Sequence, residues 1–195
     1  NYLLTQKIIE KYSGLPFEDF VQKNQFNIVG MDKTVYGNSF DIIENKSPTY
    51  CFYHFDKSIG DYVKSTHLRE TYEDFPTMMR ADAGVFSTSN DIVKWIIALQ
   101  SGKFLKNKSS LETMWQPVKL NNGKYDGFGG LLNGYALGWP AIIRENHPGI
   151  APIGGGRASI AIYPKDDLAI ILLTNLSGIP IEEMVDHISK FYLSN

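Results

Sequence analysis

Cysteine, excess positive charge and long apolar runs are all scarce in this sequence. Its single cysteine, Cys51, cannot form an internal disulfide, and its place in an aromatic run indicates a buried strand residue rather than a nucleophile. The 19 Lys and Arg residues are balanced by 21 Asp and Glu residues, which leaves no basic face for a phosphate backbone. We therefore expect no nucleic-acid partner. No apolar run has transmembrane length, so we expect no membrane span.

Metal-binding patterns are missing as well. The four histidines lie far apart along the chain, without an HExxH motif or another paired-ligand spacing. The acidic pairs are explained by a turn at residues 166–167 and by the start of a helix at residues 182–183. We therefore expect no metal site and no cofactor.

The most informative stretch is residues 150–164, IAPIGGGRASIAIYP. An apolar strand runs into three consecutive glycines, turns at Arg157 and returns as a second strand that stops at Pro164. Upstream, residues 135–143 are a strand candidate, and the turn residues 146–149 follow it. Downstream, the turn residues 164–167 precede the unbroken apolar run 168–174. The pattern predicts an antiparallel meander.

Helical patterns lie on both sides of this meander. Residues 89–99 follow a polar capping run and have an amphipathic spacing, and residues 181–192 follow Pro180 with two acids in the first turn. The run 168–174 has no polar face before Thr174, so both of its faces should be covered. We therefore predict an α+β fold with an antiparallel sheet flanked by helices.

Five segments in the same order resemble the serine β-lactamase and penicillin-binding-protein family, in its class C β-lactamase and esterase branch. They are GMDKT (30–34), AGVFSTSNDIVKW (83–95), YALGW (135–139), GGGR (154–157) and IYPKDDLAIILLTN (162–175). The resemblance implies a serine hydrolase acting on an amide or ester through an acyl-enzyme, with an exported or periplasmic location. It also implies that residues 1–195 are the C-terminal portion of one domain. Residues 1–133 would then be the helical and cleft-lining part, and residues 134–195 the last strands and terminal helix.

The catalytic serine that the resemblance implies is not found in this sequence. The family acylates the serine of a Ser-x-x-Lys motif, but no serine here is followed three residues later by lysine, and no Gly-x-Ser-x-Gly elbow occurs. The family's Tyr-x-Asn motif would lie just before Asn1. We therefore expect the chain to begin mid-domain and to be inactive alone. Its partner would be the N-terminal part of the same domain, or a second copy bound through an open sheet edge.

Two places compete for the family's third motif, Lys-Thr-Gly or His-x-Gly. His147-Pro148-Gly149 matches it literally but lies where the chain must turn, whereas Pro152-Ile153-Gly154 matches by its position at the end of a strand. The strand position favours the second assignment.

Under that assignment, the resemblance gives the N–H of Gly155 the role of an oxyanion donor, with Gly154 allowing close approach of the substrate. Ile153, Gly156 and Arg157 would contact the substrate, which is a small molecule or a peptide. Without the resemblance, the three glycines form only a hairpin turn, and Arg157 pairs with a neighbouring acid. Pro152 and Ile153 replace polar family residues, which leaves open a non-catalytic module that binds peptide or cell-wall-like ligands.

Overall fold

The computed structural model describes residues 1–72 and 79–193, and the chain divides into two compact units. Unit 1 contains Asn1–Trp95 and Asn175–Gly178, and unit 2 contains Ile96–Thr174 and Ile179–Asn195. In the part of the chain described, no helix has the length and apolarity needed to cross a bilayer.

The helices are short and the strands are many. The helices are α1 (Tyr2–Ser13), α2 (Phe17–Val21), α3 (Asn27–Val29), α4 (Arg80–Ala83), α5 (Ser89–Gln100), α6 (Lys108–Trp115) and α7 (Ile181–Ser189), with a π-helical turn at Gln22–Phe26. The strands are β1 (Val35–Tyr36), β2 (Thr49–Asp56), β3 (Asp61–Thr71), β4 (Val85–Phe86), β5 (Gly134–Tyr135), β6 (Pro140–Ile142), β7 (Gly149–Ile150), β8 (Ile153–Gly154), β9 (Ala158–Tyr163), β10 (Leu168–Leu173) and β11 (Leu176–Ser177).

Unit 1 contains two small sheets beside a helical core. β1 pairs with β4, and β2 pairs with both β3 and β11. The core is a cluster of Val21, Phe26 and Met31, against which α2 and the start of α5 pack. Cys51 lies in β2 as a half-buried free thiol, which agrees with its expected place in a strand.

The buried carboxylate of Asp91 joins two of the five segments that resemble the family. Asp91 is 2% exposed, and its Oδ2 accepts hydrogen bonds from the Lys33 N–H at 2.8 Å and the Thr34 hydroxyl at 3.0 Å. Burial opposes ionisation of Asp91, but these donors and the Lys94 ammonium outweigh it and lower its pKa. Segments 30–34 and 83–95 are therefore bound to each other through Asp91, which is a structural role.

Unit 2 is built on an antiparallel sheet with the strand order β10-β9-β7-β6-β5, in which β8 also pairs with β9. Leu168 pairs with Tyr163, Ile150 with Ile162, and Ile153 with Ser159. The predicted antiparallel meander is confirmed. Its core joins β6, β9 and α7 in one cluster, which contains Leu132, Ile142, Ala151, Ala161, Tyr163 and Val185.

Three predicted element bounds were wrong. Residues 135–143 form two paired strands, β5 and β6, because Gly138 adopts φ 81° in the turn between them. The strand predicted at 150–154 is interrupted between β7 and β8, where Pro152 has no N–H to donate. The last helix ends at Ser189 rather than at residue 192, because residues 190–192 form a turn.

Candidate functional site

The turn between β8 and β9 requires two of its glycines. Gly155 and Gly156 have φ angles of 55° and 65°, which residues with a side chain rarely adopt. The Arg157 N–H donates to the Gly154 carbonyl at 3.0 Å and closes the turn. The turn geometry therefore accounts for Gly155 and Gly156 without any reference to a substrate.

Gly154 is not explained in the same way. Its φ is not among the positive values, and a Cβ built on it would meet only the Ala158 Cβ, at an ordinary 3.6 Å. The residue is exposed at the end of β8. Among the residues described, neither backbone conformation nor packing requires glycine there, and only Ala158 lies near the position that a Cβ would take.

The outer edge of β8 is open in the part of the chain described. Ala151 donates to the Pro140 carbonyl at 2.9 Å, which is the last bond to β6, and β8 itself pairs with β9 alone. The Ile160 N–H donates to the Pro152 carbonyl at 3.0 Å, so residue 152 faces β9. Because residues alternate along an antiparallel strand, the N–H and C=O of Ile153 face away from β9.

Gly155 comes directly after β8, at the end of this open edge. Its N–H has no acceptor among the residues described, and the glycine is exposed. A Cβ at Gly155 would lie 3.6 Å from a terminal guanidinium nitrogen of Arg157, so the guanidinium lies beside the same turn. Ile153 keeps 40% of its surface exposed one residue before Gly154. The structure therefore places Ile153, Gly154, Gly155, Gly156 and Arg157 together.

His147 lies elsewhere. Its φ is 53°, its Nδ1 is 2.7 Å from Oδ1 of Asp166, and its carbonyl accepts a hydrogen bond from Arg144 Nε at 2.8 Å. Asp166 belongs to the turn between β9 and β10, whereas Gly155 belongs to the turn at the other end of β9. β9 is 6 residues long, so its two ends lie roughly 17 Å apart at ~3.3 Å per residue.

The sequence pattern missed a buried polar network beneath α7. Asp186 is 7% exposed, and its Oδ1 accepts bonds from Arg144 at 2.8 Å and from the Tyr163 hydroxyl at 3.3 Å. The same hydroxyl contacts the Ser189 hydroxyl at 3.1 Å, and the Lys190 ammonium lies 3.3 Å from Asp186 Oδ2. The network ties α7 to β9 and to the segment before His147.

The ionisation of this network follows from its burial and its charges. Burial opposes ionisation of Asp186, but the hydrogen bond and charge of Arg144, together with Lys190, outweigh it and lower the Asp186 pKa. Burial raises the pKa of Tyr163 despite the hydrogen bond to Ser189. Asp186 is therefore a fixed anion and Tyr163 a neutral donor at neutral pH, which suits a structural anchor. The spacing of Asp186, Ser189 and Lys190 on one helix face was the only signal in the sequence.

The sheet of unit 2 and its glycine-ended strand β8 contain three of the five segments that resemble the β-lactamase and penicillin-binding-protein family. The sequence profile described as Beta-lactamase matches residues 1–187, and the chain belongs to this family. The predicted resemblance and the α+β fold class are thus confirmed. The family match extends over both units.

Individual relatives agree with this assignment. Penicillin-binding protein 4* of Bacillus subtilis (strain 168) is 31% identical over 150 residues, which are 75% of this chain and 30% of that protein. The D-amino acid amidase of Ochrobactrum anthropi SV3 with D-phenylalanine matches with TM-score 0.73 and 22% identity over 97% of this chain and 57% of its own. A penicillin binding protein from Bacillus halodurans matches with TM-score 0.69 and 17% identity over 97% and 54%. The chain spans about a third of the curated relative and just over half of these structures.

Proposed function

We propose that this chain is part of a serine hydrolase that acts on an amide or an ester through an acyl-enzyme. The chain contributes β8 and the Gly155 N–H, which serves as one oxyanion donor. The serine nucleophile and its base come from residues outside the sequence. The observation that carries the proposal is Gly154, an exposed glycine on an open strand edge that neither its φ nor its packing requires.

The chemistry follows from this edge. When a serine attacks a carbonyl, charge develops on the oxygen, and a fixed N–H about 3 Å away stabilises it. The N–H of Gly155, which has no acceptor among the residues described, would be such a donor, and the absence of a Cβ at Gly154 would let the carbonyl approach the strand. Arg157 would attract an anionic group of the substrate, and the exposed Ile153 would contact an apolar group.

The isolated chain should not hydrolyse nitrocefin or p-nitrophenyl esters. No serine in it has a lysine three residues on, so a hydroxyl activated in the manner of the family is absent from the sequence. The measurement is turnover by purified protein, with and without a serine-directed phosphonate. Turnover that the phosphonate abolishes would contradict the proposal that the serine nucleophile lies outside this sequence.

A second candidate function is a non-catalytic module that binds peptide or cell-wall-like ligands. Pro152 and Ile153 favour it, because neither side chain can tune a base or hold a carboxylate, and Ile153 is exposed. The residues encoded upstream decide between the two functions. Ser-x-x-Lys followed by Tyr-x-Asn supports the hydrolase, and the absence of both supports the binding module.

We further propose that residues 1–195 form the C-terminal portion of one domain whose sheet continues beyond β10. In the described sheet β10 is the last strand, and its six apolar residues are all half-buried. An apolar edge strand is a ready template for another strand. The N-terminal part of the same domain would pair there, and without it a second copy would.

The isolated chain should therefore be a dimer or larger by light scattering. Ile171→Lys in β10 should shift it toward monomer, since a charge on the edge opposes pairing. A control, Lys165→Glu in the preceding turn, should leave the mass unchanged. A monodisperse wild-type monomer with no accompanying fragment by mass spectrometry would count against the open edge.

A further inference from the structure

The sequence contains two Asn-Gly pairs, and the fold places them in different surroundings. Asn122-Gly123 lies between α6 and β5, in a segment that the structure describes throughout and in which no residue belongs to a helix or a strand. Asn133-Gly134 lies at the end of this segment, and Gly134 begins β5. An asparagine before glycine is prone to lose its amide, because no Cβ hinders attack by the glycine nitrogen on the side-chain carbonyl carbon. The two pairs therefore allow one reaction to be compared at two positions.

The side chain of Asn122 is bent back over the glycine that follows it. The Lys124 N–H donates to Asn122 Oδ1 at 2.9 Å, so the side chain and the backbone close a loop around Gly123. Loss of the amide begins with a bond between the Gly123 nitrogen and Asn122 Cγ, the carbon that carries this oxygen. Negative charge then develops on Oδ1, and an N–H aimed at that oxygen stabilises it. The hydrogen bond from Lys124 therefore favours the attack.

The surroundings of Gly123 leave room for this reaction. Asn122, Gly123 and Lys124 are exposed, and among the residues described nothing beyond its chain neighbours lies within 4 Å of the position that a Cβ of Gly123 would take. Two backbone hydrogen bonds between described residues hold the turn. The Gly123 N–H donates to the Leu120 carbonyl at 2.9 Å, and the Leu120 N–H donates to the Lys124 carbonyl at 2.8 Å. The first bond must break to free the nitrogen, and an exposed turn outside any sheet opens readily.

The second pair, Asn133-Gly134, is held in a different way. Asn133 Nδ2 donates to the Ile143 carbonyl at 2.9 Å, and Asn133 Oδ1 accepts the Ile143 N–H at 2.7 Å, so both ends of the carboxamide are bound to Ile143. Gly134 is buried and pairs with Ala141 in the sheet. A Cβ at Gly134 would meet Ile143 Cγ1 at 2.8 Å, so the Ile143 side chain fills the space beside this glycine. The carboxamide therefore faces Ile143, and the Gly134 peptide has no room to turn toward it.

We propose that Asn122 is a site of spontaneous conversion to aspartate and isoaspartate, and that the fold protects Asn133 from the same reaction. The Gly123 nitrogen gives up its proton and bonds to Asn122 Cγ, which closes a succinimide ring, and the bond from Cγ to Nδ2 breaks with release of ammonia. Water then opens the ring at either carbonyl, which gives aspartate or isoaspartate and needs no oxidant or reductant. Either product adds one negative charge to the formal net charge of −2. This proposal is independent of the hydrolase proposal, because it uses no residue of β8.

The test is incubation of the chain in neutral and mildly alkaline buffer, followed by tryptic peptide mapping by mass spectrometry. Cleavage after Lys124 places the two Asn-Gly pairs on different peptides, and a converted asparagine gains about 1 Da. In the folded protein, Asn122 should convert at least about tenfold faster than Asn133, which must first leave the sheet. Alkaline buffer should speed the conversion, because the Gly123 nitrogen must lose its proton. In guanidinium chloride, where the fold is lost, both pairs should convert at similar rates.

Two variants serve as matched controls. Asn122→Gln keeps an amide on an exposed side chain but would have to close a larger ring, so it should abolish the conversion at residue 122 and the acidic species that ion-exchange chromatography separates. Asn121→Gln changes the exposed neighbour, which precedes an asparagine and not a glycine, and should leave the conversion of Asn122 unchanged. Labelling with protein-isoaspartate methyltransferase measures the isoaspartate in each sample, and circular dichroism confirms that each variant is folded.

Two outcomes overturn the proposal. Equal conversion of Asn122 and Asn133 in the folded protein would show that the Asn-Gly pair alone, and not its surroundings, sets the rate. Conversion of both asparagines in guanidinium chloride but of neither in the folded protein would show that the bond from the Gly123 N–H to Leu120 protects the turn.

Discussion

Gly154→Val should lower kcat/KM of the longer hydrolase proposed above by about 100-fold, the scale of a ~1 Å displacement of the reacting group. The valine side chain would occupy the space that the substrate carbonyl needs beside the open edge of β8. The fold should tolerate the change, because Gly154 has no positive φ and its Cβ would touch only Ala158. Steady-state kinetics with an amide and an ester substrate measure the loss.

Two variants serve as controls for this result. Gly154→Ala should keep or slightly raise stability, by roughly 0.4–1 kcal/mol, because it restricts the unfolded chain at a compatible φ. His147→Ala removes a turn side chain bonded to Asp166 and should change activity only a few fold. If His147→Ala abolishes hydrolysis in a folded protein while Gly154→Val is tolerated, His147-Pro148-Gly149 is the third motif.

Gly154 is a better probe than its neighbour. Gly155→Pro would delete the proposed donor, but proline fixes φ near −65° and Gly155 has φ 55°. The substitution would break the turn as well as the oxyanion contact, so a loss of activity would have two causes.

Asp186→Ala should lower the free energy of unfolding by about 1–3 kcal/mol, the usual cost of leaving a buried hydrogen-bonding partner unsatisfied. Arg144, only 30% exposed in its side chain, would lose its carboxylate partner, and the Tyr163 hydroxyl would lose an acceptor. α7 would then be held to β9 by apolar contacts and by the hydrogen bond between the Tyr163 and Ser189 hydroxyls. Urea unfolding followed by circular dichroism measures the change.

Glu183 is the matched control, because it lies exposed on the same helix. Glu183→Ala should change stability by less than about 0.5 kcal/mol, as is usual for surface substitutions. Asp186→Asn should cost less than Asp186→Ala, since the amide oxygen still accepts a hydrogen bond. A loss below about 1 kcal/mol for Asp186→Ala would show that the network contributes no more than a surface ion pair.

The stabilisation of the fold by Asp186 should decrease in acid. Its folded pKa is lowered, so its stabilisation is fully present above the unfolded value of about 3.9 and is lost as pH falls through the folded pKa. The stability difference between wild type and Asp186→Asn should therefore be constant near neutral pH and shrink below about pH 4. If the difference grows in acid, folding raises the pKa of the Asp186 carboxyl instead of lowering it.

Local turn chemistry made the hairpins of unit 2 predictable from sequence. Consecutive glycines at 155 and 156 allow the positive φ angles that a short connection needs, and residues 164–167 supply the next turn. Each turn fixes the register of the strands beside it, so the pairing of Leu168 with Tyr163 follows. The same reasoning failed at Gly138, because a single glycine inside an apolar run also suits an uninterrupted strand.

Partners far apart in sequence could not be predicted. Asp186 and Arg144 are 42 residues apart, and only the packing of α7 on the sheet brings them together. The candidate site could be predicted only in part. Sequence placed the glycines at a strand end, but only the φ angles separate Gly155 and Gly156, which the turn requires, from Gly154, which it does not.

Covalent labelling tests the central claim most directly. The longer protein and the isolated chain are treated with a serine-directed phosphonate and digested, and the modified peptide is identified by mass spectrometry. We expect one labelled serine in the longer protein, followed three residues later by lysine and lying outside residues 1–195, and no label on the isolated chain. A label on a serine within residues 1–195 would contradict the claim that this chain supplies the oxyanion strand and not the nucleophile.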